Sequence, residues 1–247
     1  MAGARAILGG RFVGLYLYGS LASGGFEPGR SDVDFLVVSD GPLPAELTPA
    51  LQALHSRLGA DHPDWAARLE GSYIPRPALR RHDPAQARHL HLAIEANGQL
   101  RLEAHASDWI FQRHILREQG VVLAGPPPAT FIDPVGPADL RRAVLDILAE
   151  WWAGMPADPA PLQGLGYPAY AVLTMCRALY TLEHGALVTK AAAARWAQQA
   201  LGPPWADLIG RALAGRPEDA AVSLAEALDF IRFTLARSRE VAAPAGP

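Results

Sequence analysis

The chain has 247 residues, half of them apolar, which is enough for one large domain or two small ones around a sizeable core. A formal charge of -3 and a pI near 6.2 argue against a dedicated nucleic-acid binder, which would carry a strongly basic face, and suit a small cationic substrate better. The single cysteine, Cys176, excludes a disulfide framework or a Cys-x-x-Cys metal site within the chain. With no signal-peptide pattern and no apolar run near the ~20 residues that span a bilayer, the expectation is a cytoplasmic protein without membrane attachment.

In chain order, a short glycine-containing lead-in precedes a predicted strand over Val13 to Tyr18, which Gly19-Ser20 breaks. The chain must turn across Ser23-Gly24-Gly25 and Pro28-Gly29 before a second strand, Val33 to Val38. Period two puts Asp32 and Asp34 on the same side of that strand. Thr48 is placed to cap a helix ending near Gly59, and a third strand runs from Arg68 to Ile74 with Glu70 inside it. Alternation between His89 and Glu103 around Asn97-Gly98 reads as a hairpin, followed by a helix from Ser107 to Gly120 and a short strand, Val121 to Ala124. Phe131 to Val135 marks a boundary, giving domains over 1–134 and 135–247.

Beyond Pro137 the periodicity is helical, over Pro137 to Gly154, Pro168 to Gly185, Thr189 to Leu201, Pro203 to Gly215 and Pro217 to Arg239. Stripes such as Leu140, Val144, Ile147, Leu148, Trp151 and Leu224, Leu228, Ile231, Leu235 are the predicted core of a helical bundle. The fold class expected is therefore an α/β N-terminal domain with a mixed sheet, joined to an all-α C-terminal bundle.

The stretch with the clearest chemistry is Leu15 to Val38, LYLYGSLASGGFEPGRSDVDFLVV. Glycine lets backbone N–H groups approach phosphate oxygens, and the Ser20 and Ser31 hydroxyls add donors. Two carboxylates on one side of a strand can share a hard cation with a nucleotide's phosphates. A bare D-x-D is most often a solvated loop, but the apolar strands and small-residue turn that frame this one favour the functional reading.

This G-S, spacer, D-x-D arrangement resembles the signature of the DNA polymerase beta-type nucleotidyltransferases. The whole chain is similar to the streptomycin/spectinomycin adenylyltransferases, through Leu123-Ala124-Gly125-Pro126, Phe131-Ile132-Asp133-Pro134-Val135, Leu173-Thr174-Met175-Cys176-Arg177 and Thr189-Lys190-Ala191-Ala192-Ala193-Ala194-Arg195-Trp196-Ala197. The resemblance implies a palm-like nucleotidyltransferase domain before the helical one. It implies Mg²⁺ held by Asp32 and Asp34, triphosphate contacts from Gly19, Ser20 and Ser31, and Glu70 as general base. Arg177 and Lys190 would bind the nucleotide's phosphates, with ATP clamped between the domains. A helix start at Thr189-Lys190 also favours an anion on its own physics.

The chain departs from the family around Tyr167, where an acidic residue is usual, at Leu213, where a tyrosine is usual, and in lacking a streptomycin-packing tryptophan. It also has room for only a short lead-in where the family has a full helix. His89, His91 and His105, with Glu95 and Glu103, could be read as metal ligands, but no third ligand follows at a diagnostic spacing. A polar hairpin face bordering the acceptor pocket is the simpler reading. The expected activity is transfer of AMP from Mg-ATP to a hydroxyl of a small cationic acceptor, an aminoglycoside or aminocyclitol, by a monomer with no nucleic-acid partner. Modification of a protein or RNA, or nucleotide binding without catalysis, are the alternatives.

Overall fold

The computed structural model describes residues 2–28, 31–93, 98–164, 166–215 and 221–242. Gly29 of the predicted first turn, Glu95 and Asn97 of the hairpin, and Pro217 of the last predicted helix lie outside them. The chain forms two compact units, Met1–Val135 and Gly136–Pro247.

In the first unit α1 (Ala2–Leu8) leads through a 3-10 turn into β1 (Phe12–Leu17), α2 (Gly19–Ala22) and β2 (Val33–Ser39). Then come α3 (Thr48–Asp61), α4 (Pro63–Ala66), β3 (Leu69–Pro75) and α5 (Arg76–Arg80). β4 (Arg88–Leu92), β5 (Leu100–Ala104), α6 (Trp109–Gln119) and β6 (Val121–Ala124) complete it. The strands make one six-stranded sheet in the order β5-β4-β3-β2-β1-β6. Among the described strands only β2 and β3 run parallel, because α3 and α4 carry the chain back across the sheet between them.

Alternation along each strand divides the core in two. Tyr16, Tyr18, Leu36, Val38 and Ile74 pack with Leu79, Trp109, Leu116 and Ile132 on one face. Leu15, Phe35, Val37, Tyr73 and Leu92 pack with Ala4, Leu8 and Leu51 on the other. Asp34, Glu70 and Ser72 belong to the first series, so the polar groups of the opening motif sit where that apolar face begins. The lead-in before β1 is a helix rather than an irregular stretch. Ala4 and Leu8 are buried against Leu51 of α3, and such docking stabilises two turns that could not persist alone.

Gly71 of β3 lies opposite Phe35 of β2, and a Cβ there would fall 2.2 Å from the Phe35 carbonyl oxygen and 2.4 Å from its ring. Gly71→Ala is expected to destabilise the unit by about 2 kcal/mol through overpacking. A fall in the urea midpoint would show it; an unchanged midpoint would mean that the two strands shift apart at little cost.

The second unit consists of α7 (Pro137–Glu150), α8 (Tyr167–His184), α9 (Lys190–Leu201), α10 (Trp205–Ala214) and α11 (Leu224–Ala242). α8 is central: Ala171, Val172, Met175, Cys176, Leu179 and Leu182 are buried, and α7, α9, α10 and α11 all pack on it. The predicted stripe on α7 holds through Leu148 but not at Trp151, which is 59% exposed. α7 ends at Glu150, and the tighter 3-10 turn Trp152–Gly154 rotates the next side chain inward, so Trp152 is buried instead. α11 begins at Leu224, later than predicted, because Ser223 and Glu226 form a reciprocal cap: Ser223 N–H donates to Glu226 Oε2 at 2.9 Å and Glu226 N–H to Ser223 Oγ at 3.3 Å. Among the described residues no helix is long and apolar enough to cross a membrane.

Candidate active site

The first half of the site is made by the end of β1 meeting the start of β2. The Tyr18 N–H donates to the Asp34 carbonyl at 3.1 Å, which brings Gly19 against the Asp34 side chain. Gly19 has a φ of +64, and a Cβ built on it would lie 1.8 Å from Asp34 Oδ2. Only glycine leaves room for both the left-handed turn and the carboxylate. Ser20 follows in the first turn of α2, and its carbonyl accepts from the Gly25 N–H at 3.0 Å. Ser31 closes the intervening loop: its Oγ accepts from the Glu27 N–H at 2.9 Å while its own N–H donates to the Glu27 carbonyl. The Ser31 oxygen thus holds the loop, leaving its O–H to donate. Asp32 immediately precedes β2, and both aspartates are half-buried.

Glu70 enters from β3. The parallel register sets it directly beside Asp34, and its side chain is 35% exposed. Behind it lies a polar chain that leads into the core. His91 Nε2 is 3.3 Å from Glu70 Oε1, His91 Nδ1 is 2.7 Å from Ser72 Oγ, and Ser72 Oγ is 3.2 Å from His105 Nε2. The His105 ring stacks on Trp109 at 3.9 Å with the planes 8° apart. Burial pushes the His105 pKa down to about 2, helped by neighbouring His89, His91 and His82, and burial pushes His89 down to about 4. Both are therefore neutral near pH 7. Tyr18, buried beside Trp109, has its pKa raised chiefly by burial and further by Asp34, Glu70 and Asp108, so it stays protonated in a negative field.

The histidines do not form the open polar face expected of them. His89, His91 and His105 are each less than a tenth exposed, so they are not an open polar face. Among the described residues no group of three or more His, Cys, Asp or Glu is placed to hold a metal ion. Strand alternation did show that His89 and His91 share a face. That this face is the inner one follows from the register of His91 opposite Ser72, a long-range pairing with no local signal. Ser72, Tyr18 and Trp109 were missed for the same reason.

In the second unit Thr189 caps α9, its Oγ1 accepting from the Ala192 N–H at 3.2 Å. Lys190 Nζ sits 3.8 Å above the Tyr170 ring. Arg177 is two turns along α8 from Tyr170, hence on the same side, and burial lowers its pKa while Tyr170 opposes the shift. Tyr167, near the point where the chain departs from the usual acidic residue, is about half exposed beside Tyr170, and Leu213 is half-buried on α10. The structure thus brings Gly19, Ser20, Asp32, Asp34 and Glu70 together in one unit and Arg177 and Lys190 together in the other.

Asp32 and Asp34 offer only oxygen, the donor type of a hard divalent cation that takes one or two carboxylates and completes its shell with phosphate and water. The residues present therefore fit a divalent metal shared with a nucleotide.

Two family models match the chain. One, described as "Nucleotidyltransferase domain", covers residues 8–88 and so includes the Gly19 turn, both aspartates and Glu70. The other, "Aminoglycoside adenylyltransferase, C-terminal domain", covers residues 130–237, including Arg177 and Lys190. A spectinomycin 9-adenylyltransferase of Staphylococcus aureus strain N315 is 28% identical over 201 residues, spanning 77% of this chain and 72% of that protein. An aminoglycoside (3'') (9) adenylyltransferase of Escherichia coli is 33% identical over 121 residues, 47% of this chain and 43% of its own. The crystal structure of a spectinomycin adenyltransferase from Enterococcus faecialis with ATP and spectinomycin shares the fold, with a TM-score of 0.74, 18% identity and 96% of each chain covered. With one model on each unit and a relative matched over most of both chains, the chain joins a nucleotidyltransferase domain to a C-terminal domain of the aminoglycoside adenylyltransferase family.

Proposed function

We infer that this protein transfers AMP from ATP to a hydroxyl of an aminoglycoside or aminocyclitol, releasing pyrophosphate. The observation that carries the reading is the side-by-side setting of Asp34 and Glu70 on parallel strands, with Gly19 closed against Asp34. A sugar hydroxyl is a poor nucleophile until its proton is accepted, and Glu70 is the partly exposed carboxylate that can accept it beside the nucleotide. As the hydroxyl oxygen bonds to the α-phosphorus, the bond from that phosphorus to the bridging oxygen breaks and pyrophosphate leaves. Asp32 and Asp34 would hold Mg²⁺, whose charge neutralises the triphosphate. The Gly19-Ser20 backbone and the Ser20 and Ser31 hydroxyls are assigned to the phosphates, and Arg177 and Lys190 are the cations of the helical unit assigned to nucleotide binding. The three carboxylates make a negative mouth that draws in a cationic acceptor.

The spectinomycin relative favours an aminocyclitol. We place the protein in the cytoplasm as a monomer, where ATP is at hand and the buried Cys176 remains a thiol. Incubation with ATP, Mg²⁺ and separate aminoglycosides, including spectinomycin and streptomycin, should give a product heavier by one AMP with spectinomycin at least. Label from α-labelled ATP on protein or RNA alone, with every drug unmodified, would overturn the assignment.

A further inference from the structure

We propose that His91 is a positioning residue for Glu70, held in the required tautomer by Ser72 and His105. The inference rests on Glu70 being the base. His91 Nε2 faces Glu70 Oε1 at 3.3 Å and its Nδ1 faces Ser72 Oγ at 2.7 Å. A carboxylate oxygen only accepts, so the proton must be on Nε2; otherwise two acceptors would face each other. Ser72 then donates its one O–H to Nδ1 and accepts from His105 Nε2, 3.2 Å away. Every donor in the row points toward the carboxylate. Ser72 is fully buried, so its hydroxyl has no water to turn to, and the stack on Trp109 fixes the His105 ring at the far end.

The consequence is a division of labour between the two oxygens of Glu70. His91 occupies Oε1 and fixes the rotamer, leaving Oε2 to take the proton of the acceptor hydroxyl. The chain β3 to β4 to the start of α6 therefore acts as a support for one catalytic carboxylate, an arrangement in which the last buried member never touches substrate.

The test uses the full chain with ATP, Mg²⁺ and spectinomycin, together with a measurement that needs no acceptor. In ¹⁵N-histidine-labelled protein the His91 signals, assigned by their loss in His91→Leu, should show the proton on Nε2. Ser72→Ala should mix the tautomers. His91→Leu is expected to lower kcat about 30-fold with KM for ATP within about twofold, the scale of one lost close polar contact to a carboxylate. His91→Gln, whose amide N–H reaches the same oxygen, should recover most of that loss. His91→Leu with wild-type kcat, no recovery in His91→Gln, or a proton found only on Nδ1 would each overturn the proposal. Glu70→Gln separates the two layers: it should lose at least about 100-fold. Full activity in that variant would remove Glu70 as the base, whatever His91 does.

Discussion

Gly19→Ala is expected to reduce AMP transfer by about 1000-fold or more while the helical unit stays folded. The added methyl would sit 1.8 Å from Asp34 Oδ2, at a backbone φ of +64. The strain of an alanine in that conformation is only about 1 kcal/mol, so it does not by itself explain such a loss. The collision does. Either Asp34 rotates away, which takes one of the two carboxylates proposed to hold a cation out of place, or the turn into α2 moves, which withdraws the backbone assigned to the phosphates. Each alternative removes stabilisation of the charge that develops in phosphoryl transfer, a contribution of several kcal/mol. Product formation under saturating ATP measures the effect, with circular dichroism as the check on folding. Asp34→Asn should match it. More than a tenth of wild-type rate in Gly19→Ala would mean that the turn and the carboxylate are not packed as a unit.

Acid should unfold the first unit well before it disturbs the second. His55 is buried between Phe35 and Tyr73, its Nε2 2.8 Å from the Tyr73 hydroxyl, and burial lowers its pKa to about 4. His89 is lowered to about 4 and His105 to about 2. For a base whose folded pKa lies below its unfolded value near 6.5, the unfolded chain binds protons that the folded chain refuses. Stability is then complete above about pH 6.5 and lost as the pH falls toward the folded value. His55 and His89 should each cost about 2 kcal/mol at pH 5 relative to pH 8, and His105 adds to this as part of the same cluster. Glu226, held down to about 2 mainly by Arg211, acts in another window: its contribution is present above its ordinary value and disappears only as the pH falls through the folded one. Urea midpoints at pH 8 and pH 5, followed by hydrogen exchange in each unit, should show the sheet weakened and the bundle unchanged. Equal midpoints at the two pH values would mean that the buried histidines take up protons at no cost. His55→Leu should flatten the dependence.

What the sequence by itself determined is what short-range physics controls. The glycine turn, the alternation that places Asp34 on the head of β2, the alternating runs that form β4 and β5, and most of the helix limits after Pro137 all follow from residues within one or two turns of one another. Glu70 could be placed on a strand but not beside Asp34, because that neighbour relation is a parallel register set across a long crossover, residues 40–68. The local pattern failed where docking decides. Two turns before β1 are helical because Ala4 and Leu8 find Leu51, and Trp152 replaces Trp151 in the core because a 3-10 turn breaks the period of α7. The histidines show the limit most clearly. Their spacing reveals which face they share, but only the pairing of β3 with β4 turns that face inward and joins His91 to Glu70. Register between distant strands is set by the burial of whole faces, a property of the assembled sheet rather than of any one strand.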